Sequence, residues 1–171
     1  SHRTLMCDPS KNAACGAIAE LLCSITQISL EQPRLFDMTS SAFDAIDGCE
    51  PSSIPLLLAA DILKTVSSSG LRPVLQECVV CGRSMMDGSD TQGDISKMRA
   101  SDRDVRFSYS EGGCVCAQCA SECECVWLAK SSVVLAHRLL YARFCDILGM
   151  HVEDDTVFEL LQMLQMWVVM H

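Results

Sequence analysis

"PLLLAADILKTVSSSGLRPVLQECVVCG", residues 55 to 82, changes character half-way. Its first half is helical. Ile54, Leu58, Ile62 and Val66 recur at steps of four, which puts them on one helical face. Gly70 stands where a left-handed C-cap residue belongs, and Pro73 blocks continuation of the helix. Cys78 and Cys81 then form a C-x-x-C, with Gly82 directly after it. Two thiolates separated by two residues can face one cation if the backbone turns tightly, and glycine makes that turn easy.

A second pair lies downstream in "FSYSEGGCVCAQC", residues 107 to 119, as Cys116 and Cys119. Two such knuckles supply four sulfurs, the tetrahedral shell that Zn²⁺ favours. Residues 82 to 115 separate the pairs, more than the roughly 15 to 20 residues of common zinc sites. A loop absorbs the excess, since closure entropy grows slowly with length. Cys114, Cys123 and Cys125 crowd the same region. Cys116 is preferred to Cys114 because it completes the C-x-x-C. Cys123 or Cys125 in the shell, disulfides, and an empty site stay open as alternatives. Four sulfurs leave no open position for a catalytic zinc. A thioredoxin-like dithiol would need a βαβ context, and no alternation of strands with helices is visible.

Upstream, Asp8-Pro9 opens a helix with Ala14, Ile18, Leu21, Ile25 and Ile28 on one face. A second helix restarts at Pro33, with Leu35, Phe36, Thr39, Phe43 and Ile46 in register. Residues 83 to 106 are rich in Asp, Ser and Gly and read as a long mobile loop. "VRFSYSEGG" is the only convincing strand and turn. "WLAKSSVVLAHRLLYARFCDILG" returns to helical spacing, and Asp154 or Asp155 caps a last helix through Phe158, Leu161, Leu164 and Val168. Cys7, Cys15, Cys23, Cys49 and Cys145 lie in the helical patterns and read as small buried hydrophobes.

The expected fold is mainly α: a helical bundle with an inserted small zinc ribbon, or zinc finger, held by four cysteines. It is read as one domain over 1–171, with helical parts at 1–77 and 126–171 and a zinc segment at 78–125 that carries the polar loop 83–106. The 171 residues carry a net charge of −9, which opposes phosphate binding by the surface as a whole. No apolar run reaches the roughly 18 residues of a membrane span, and no secretory leader opens the chain; it reads as soluble, and as a fragment. His2, His137, His151 and His171 are too far apart to share a metal. No nucleophile, phosphate loop or dinucleotide motif appears, so no catalytic residue is assigned and the chain is not read as an enzyme.

The helix ending in Gly70, the link through Pro73 and Leu75, Cys78-x-x-Cys81-Gly82, and then Phe107-Ser108, Gly112-Gly113 and Cys116-x-x-Cys119 together resemble the C-terminal part of the RecO family of DNA repair proteins. "NAACGAIAELLCSI" is similar to the helix that in this family follows an N-terminal OB-fold, which has no counterpart before Ser1. The resemblance implies a non-catalytic recombination mediator, cytoplasmic and nucleoid-associated. It implies strand annealing, and loading of RecA with RecR onto DNA coated by single-strand binding protein (SSB), with the DNA held mainly by the missing OB-fold. An acidic SSB tail ending in an apolar residue needs a basic rim around an apolar pocket, for which Lys64, Arg72, Arg138 and Arg143 are the candidates. The alternative is a zinc-ribbon module that contacts DNA through Lys97, Arg99, Arg103 and Arg106, among which five aspartates lie. Asp61 departs from the apolar residue expected at its helix position, a change read as one that alters a partner surface.

Overall fold

The computed structural model describes residues 7–25, 33–86 and 104–171. Among them are six α-helices and one three-stranded sheet. Asp8 accepts from the backbone N–H of Ser10 at 2.9 Å and of Lys11 at 3.3 Å, and so caps α1 (Pro9–Ile25). Ala14, Ile18 and Leu21 are buried as their spacing requires; Ile28 lies outside the described residues. Lys11 reaches across to the Asp47 carbonyl at 2.7 Å and ties α1 to α2 (Pro33–Gly48).

In α2 the buried row is Leu35, Thr39, Ala42 and Ile46. Phe36 points away and is 75% exposed, and Phe43 is only half-buried. The expected register thus mixed two rows; the small Ala42 belongs to the one that packs. The central element is α3 (Ile54–Ser68), which packs against α1, α2, α5 and α6 and the helix α4 described below. A helix with neighbours all round must be apolar all round. Leu56, Leu57, Ala59, Ala60 and Leu63 are buried besides Ile54 and Val66, whereas Leu58 and Ile62 are half-buried. Each fully buried leucine stabilises the bundle by roughly 1.5–3 kcal/mol.

The ribbon begins at β1 (Val105–Ser108), which pairs antiparallel with β2 (Gly113–Val115) and with β3 (Val126–Leu128), giving the order β2-β1-β3. The short outer strand β3 was not expected, because three residues carry too little alternation to be seen. β3 also takes Trp127 out of the expected helix, so α4 runs only from Lys130 to Tyr141. Its entry is capped from the last helix: the Glu159 carboxylate accepts from the Ala129 N–H at 3.0 Å and from the Ser132 hydroxyl, where the helix dipole favours an anion.

A break at extended Ala142 separates α4 from α5 (Phe144–Ile147). In α6 (Asp154–Met170) the N-cap position is Glu153 rather than an aspartate, and no side chain caps it. Its buried row is Val157, Leu160, Met163, Leu164 and Trp167, while Phe158 is 63% exposed. Among the described residues no helix is long and apolar enough to cross a membrane. Of the five scattered cysteines Cys49 alone is buried; Cys15 is half-buried, and Cys7, Cys23 and Cys145 are exposed.

Candidate metal centre

The chain leaving α3 turns at Gly70 and runs alongside β2. Val74 donates to the Gly112 carbonyl at 2.9 Å, and Cys114 donates to the Val74 carbonyl at 2.7 Å. This approach explains Gly113: a Cβ there would meet the Val74 oxygen at 2.3 Å. Residues 76 to 85 then form a minute hairpin. Met85 donates to Gln76 and Cys78 to Arg83, both at 2.7 Å, and Gly82, at φ +73°, donates to the Cys78 carbonyl at 2.8 Å. The second knuckle copies the turn without glycine: the N–H groups of Cys119 and Ala120 both reach the Cys116 carbonyl at 3.1 Å.

The sulfurs of Cys78, Cys81, Cys116 and Cys119 lie within 4.8 Å of one another. Cys81 and Cys116 approach to 3.7 Å. A tetrahedral shell with Zn–S bonds near 2.3 Å requires sulfurs about 3.8 Å apart, so the set fits such a cation with small adjustments. An all-sulfur donor set suits a soft or borderline ion and not a hard one. The four cysteines can therefore hold a metal ion.

Local polarity prepares them for it. Burial pushes the Cys78 thiol up, but N–H groups of Cys116, Cys81 and Val80 outweigh it and bring it down to about 6. The N–H of Cys119 likewise lowers Cys116. Cys119, which shares hydrogens with the sulfurs of Cys116 and Cys81, is pushed up to about 12. A cation replaces those shared protons on binding.

The neighbouring cysteines separate from this set. β2 ends at Val115, so Cys116 leaves the strand for the sulfur cluster, while Cys114 stays in the main core. Burial raises the Cys114 thiol to about 12. Cys123 and Cys125 are half-buried against Cys78, Val115 and Cys116, the three buried residues of this satellite cluster. Three residues are too few for a core of their own.

The candidate partner residues do not gather at one place. Lys64 is half-buried, donates to the Leu140 carbonyl at 2.9 Å and lies 5.8 Å from the Phe144 ring centroid. Arg143 is exposed and pairs with Asp146 at 3.2 Å. Both line a groove of about 630 Å³ with Met38, Ala45, Tyr141 and Phe144. Arg72 lines a separate hollow with His137, but it stacks 5.2 Å from Tyr141 and hydrogen-bonds its hydroxyl. Arg138 is half-buried in the last turn of α4. Tyr141, Phe144 and Met38 were missed in the sequence. Nothing in "YARFC" announces the extended residue at 142 that opens the groove.

Lys97, Arg99 and Arg103 lie outside the described residues, as does most of the expected loop. Arg106 is seen, stacked 4.6 Å over Trp127. Asp61 is not on a surface at all: it is 0% exposed in α3, and among the described residues neither its oxygens nor the Thr65 hydroxyl meets full hydrogen-bond geometry, although Thr65 is near enough to favour the charged carboxylate.

The model of the C-terminal domain of recombination protein O matches residues 6–93, half of the chain and the whole of the first knuckle. The chain belongs to the RecO family. It is 30% identical to the DNA repair protein RecO of Desulfitobacterium hafniense over 140 residues, covering 80% of this chain and 45% of that protein. The RecO of Anaeromyxobacter sp. (strain K) is 30% identical over 113 residues, 66% of this chain and 38% of the relative. That of Alkaliphilus metalliredigens is 26% identical over 155 residues, 90% and 56% respectively. The chain thus spans about half the length of the curated relatives it matches. No solved structure matches it. Each of these relatives is named a DNA repair protein.

Proposed function

We propose that the chain is the partner-docking portion of a non-catalytic recombination mediator, held together by one structural Zn²⁺ on Cys78, Cys81, Cys116 and Cys119. The bundle presents the α2–α3–α5 groove to the acidic tail of SSB. RecR engages the same protein elsewhere, and RecA loading and strand annealing depend on DNA held mainly outside this chain.

The observation that carries the reading is the pairing of Lys64 and Arg143 at the rim of a groove walled by Met38, Tyr141 and Phe144. An acidic peptide ending in an apolar residue needs a pocket for the end and cations for the rest. Arg143 is paired with Asp146 and Asp44 also lines the groove, but in a chain of net charge −9 two cations beside one apolar groove still favour an acidic peptide there over the rest of the surface. Lys64 has three donors, one of them given to Leu140.

A labelled SSB tail peptide tests this with the metal-loaded chain. It should bind at low salt and weaken as ionic strength rises, and Lys64→Ala with Arg143→Ala should abolish binding without changing metal content. A loaded chain that does not bind at low salt overturns the reading.

Exposed Trp127 under Arg106 favours a second reading, in which the ribbon stacks on single-stranded DNA. A gel shift lost on Trp127→Ala and kept in the groove variant would favour it instead.

A further inference from the structure

The Lys64–Arg143 groove has a neighbour of different character. A second groove, of about 690 Å³, runs between the start of α3 and the start of α6. Leu56 and Val157 form its buried floor, and Met150, Val152, Phe158 and Leu161 line it above. Phe158, 63% exposed, stands at its edge. That volume is the size of an ordinary binding site.

The segments that line the groove carry acidic side chains and no lysine or arginine. Residues 144–171 contain Asp146, Glu153, Asp154, Asp155 and Glu159 and no lysine or arginine; residues 49–63 contain Glu50 and Asp61 and again no basic residue. Asp61 is buried, Glu159 caps α4 and Asp146 pairs with Arg143. Asp154 lines the groove, and Glu50, Glu153 and Asp155, all exposed, stand within two residues of its lining in sequence. His151, also exposed, completes the lining.

We propose that this groove docks a basic amphipathic helix of a partner protein. Its apolar side would fill the space beside Phe158 and Leu161, and its flanking Lys or Arg residues would meet Glu50, Glu153, Asp154 and Asp155. This is helix-in-groove recognition with an exposed aromatic as the anchor. An acidic tail is repelled by the same four carboxylates. A second copy would bring two acidic rims face to face across a two-fold axis, in a chain already at −9. The groove adjoins the Lys64–Arg143 groove, with Leu148 lining both, while their other lining residues differ.

The probe is a fluorescent peptide helix of about four turns, built of leucine and lysine with all leucines on one face, beside a scramble of the same composition. The metal-loaded chain should bind the amphipathic peptide at least about tenfold tighter than the scramble. Phe158→Ala with Leu161→Ala should remove that preference, and so should the exposed pair Asp154→Asn with Asp155→Asn, which leaves the apolar surface untouched. Lys64→Ala with Arg143→Ala should keep it, so failure here is distinct from failure of the SSB reading. Equal binding of the two peptides, or groove variants that bind as the parent does, overturns the proposal. So does a dimer in sedimentation that Phe158→Glu dissolves, because the occupant would then be a second copy.

Discussion

Cys116 gives its backbone N–H to the sulfur of Cys78 at 3.3 Å, across 38 positions of chain. That bond joins the two knuckles, and it helps to make Cys78 an easily deprotonated sulfur. Arg83, reaching Gln118 at 2.9 Å, adds a second tie between the knuckles.

Cys78→Ser should therefore lose bound metal and destabilise the ribbon while leaving most helical signal intact, since the bundle has its own core. A loss of roughly 3 kcal/mol, or about 10 °C in Tm, is expected. Exposed Cys145→Ser should change neither quantity. Metal analysis and thermal melts of the purified variants check this. A Cys78→Ser chain with a full metal complement would sink the centre as drawn.

Gly113→Ala should be as damaging as a core substitution although it adds one methyl. The new Cβ would fall 2.3 Å from the Val74 oxygen and 2.9 Å from its nitrogen, both backbone atoms that cannot swing aside. Overpacking of this kind costs about 1–3 kcal/mol. Gly149→Ala, whose nearest neighbour would be 3.7 Å away, is the matched control. Equal urea midpoints for the two variants would refute the close approach.

The cysteine pairs and the helix before them were legible because each is a short-range pattern: one period, one glycine, one spacing. What was hidden depends on neighbours distant in sequence. Phe36 and Ala42 exchanged roles because the surface of α3 decides which row of α2 packs. Trp127 left its helix because β1 offered it a partner at Arg106. The groove at Lys64 needed Ala142 to be extended, and no local residue demands that. Asp61 looked like a surface change, and only the packing of five helices on α3 shows that it is enclosed.

Asp61 makes stability depend on pH in an uncommon direction. Burial pushes its carboxyl from 3.8 to about 7, against smaller opposing effects of Thr65 and Lys64. Between those values the folded chain holds a proton that the unfolded chain has lost. Stability from this group is therefore complete below about pH 4, falls as pH rises towards 7, and stays level beyond. The full span is on the order of 4 kcal/mol. Asp61→Asn should flatten that part of the profile and gain stability relative to the parent at pH 8. Urea unfolding at pH 5 and pH 8, with metal saturating in both chains, isolates the difference. Parallel profiles for the parent and Asp61→Asn would show that the carboxyl is charged throughout.

Trp167 is the peg between the last helix and the cysteine-bearing ribbon. Its indole Nε1 donates to the Leu71 carbonyl at 2.9 Å, and its ring meets Phe107 edge-on at 5.7 Å. Trp167→Phe keeps most of the packing but strips the carbonyl of its donor, which should cost about 1–3 kcal/mol. Trp167→Ala removes both and should cost about 3–5 kcal/mol. Phe107 is fully enclosed and pairs in register with Cys114 of β2. A double-mutant cycle of Trp167→Leu with Phe107→Leu should then return a coupling of about 0.5–1.5 kcal/mol. Strictly additive losses would mean that α6 and the ribbon are stabilised separately, and that the sulfur centre fixes only its own strands.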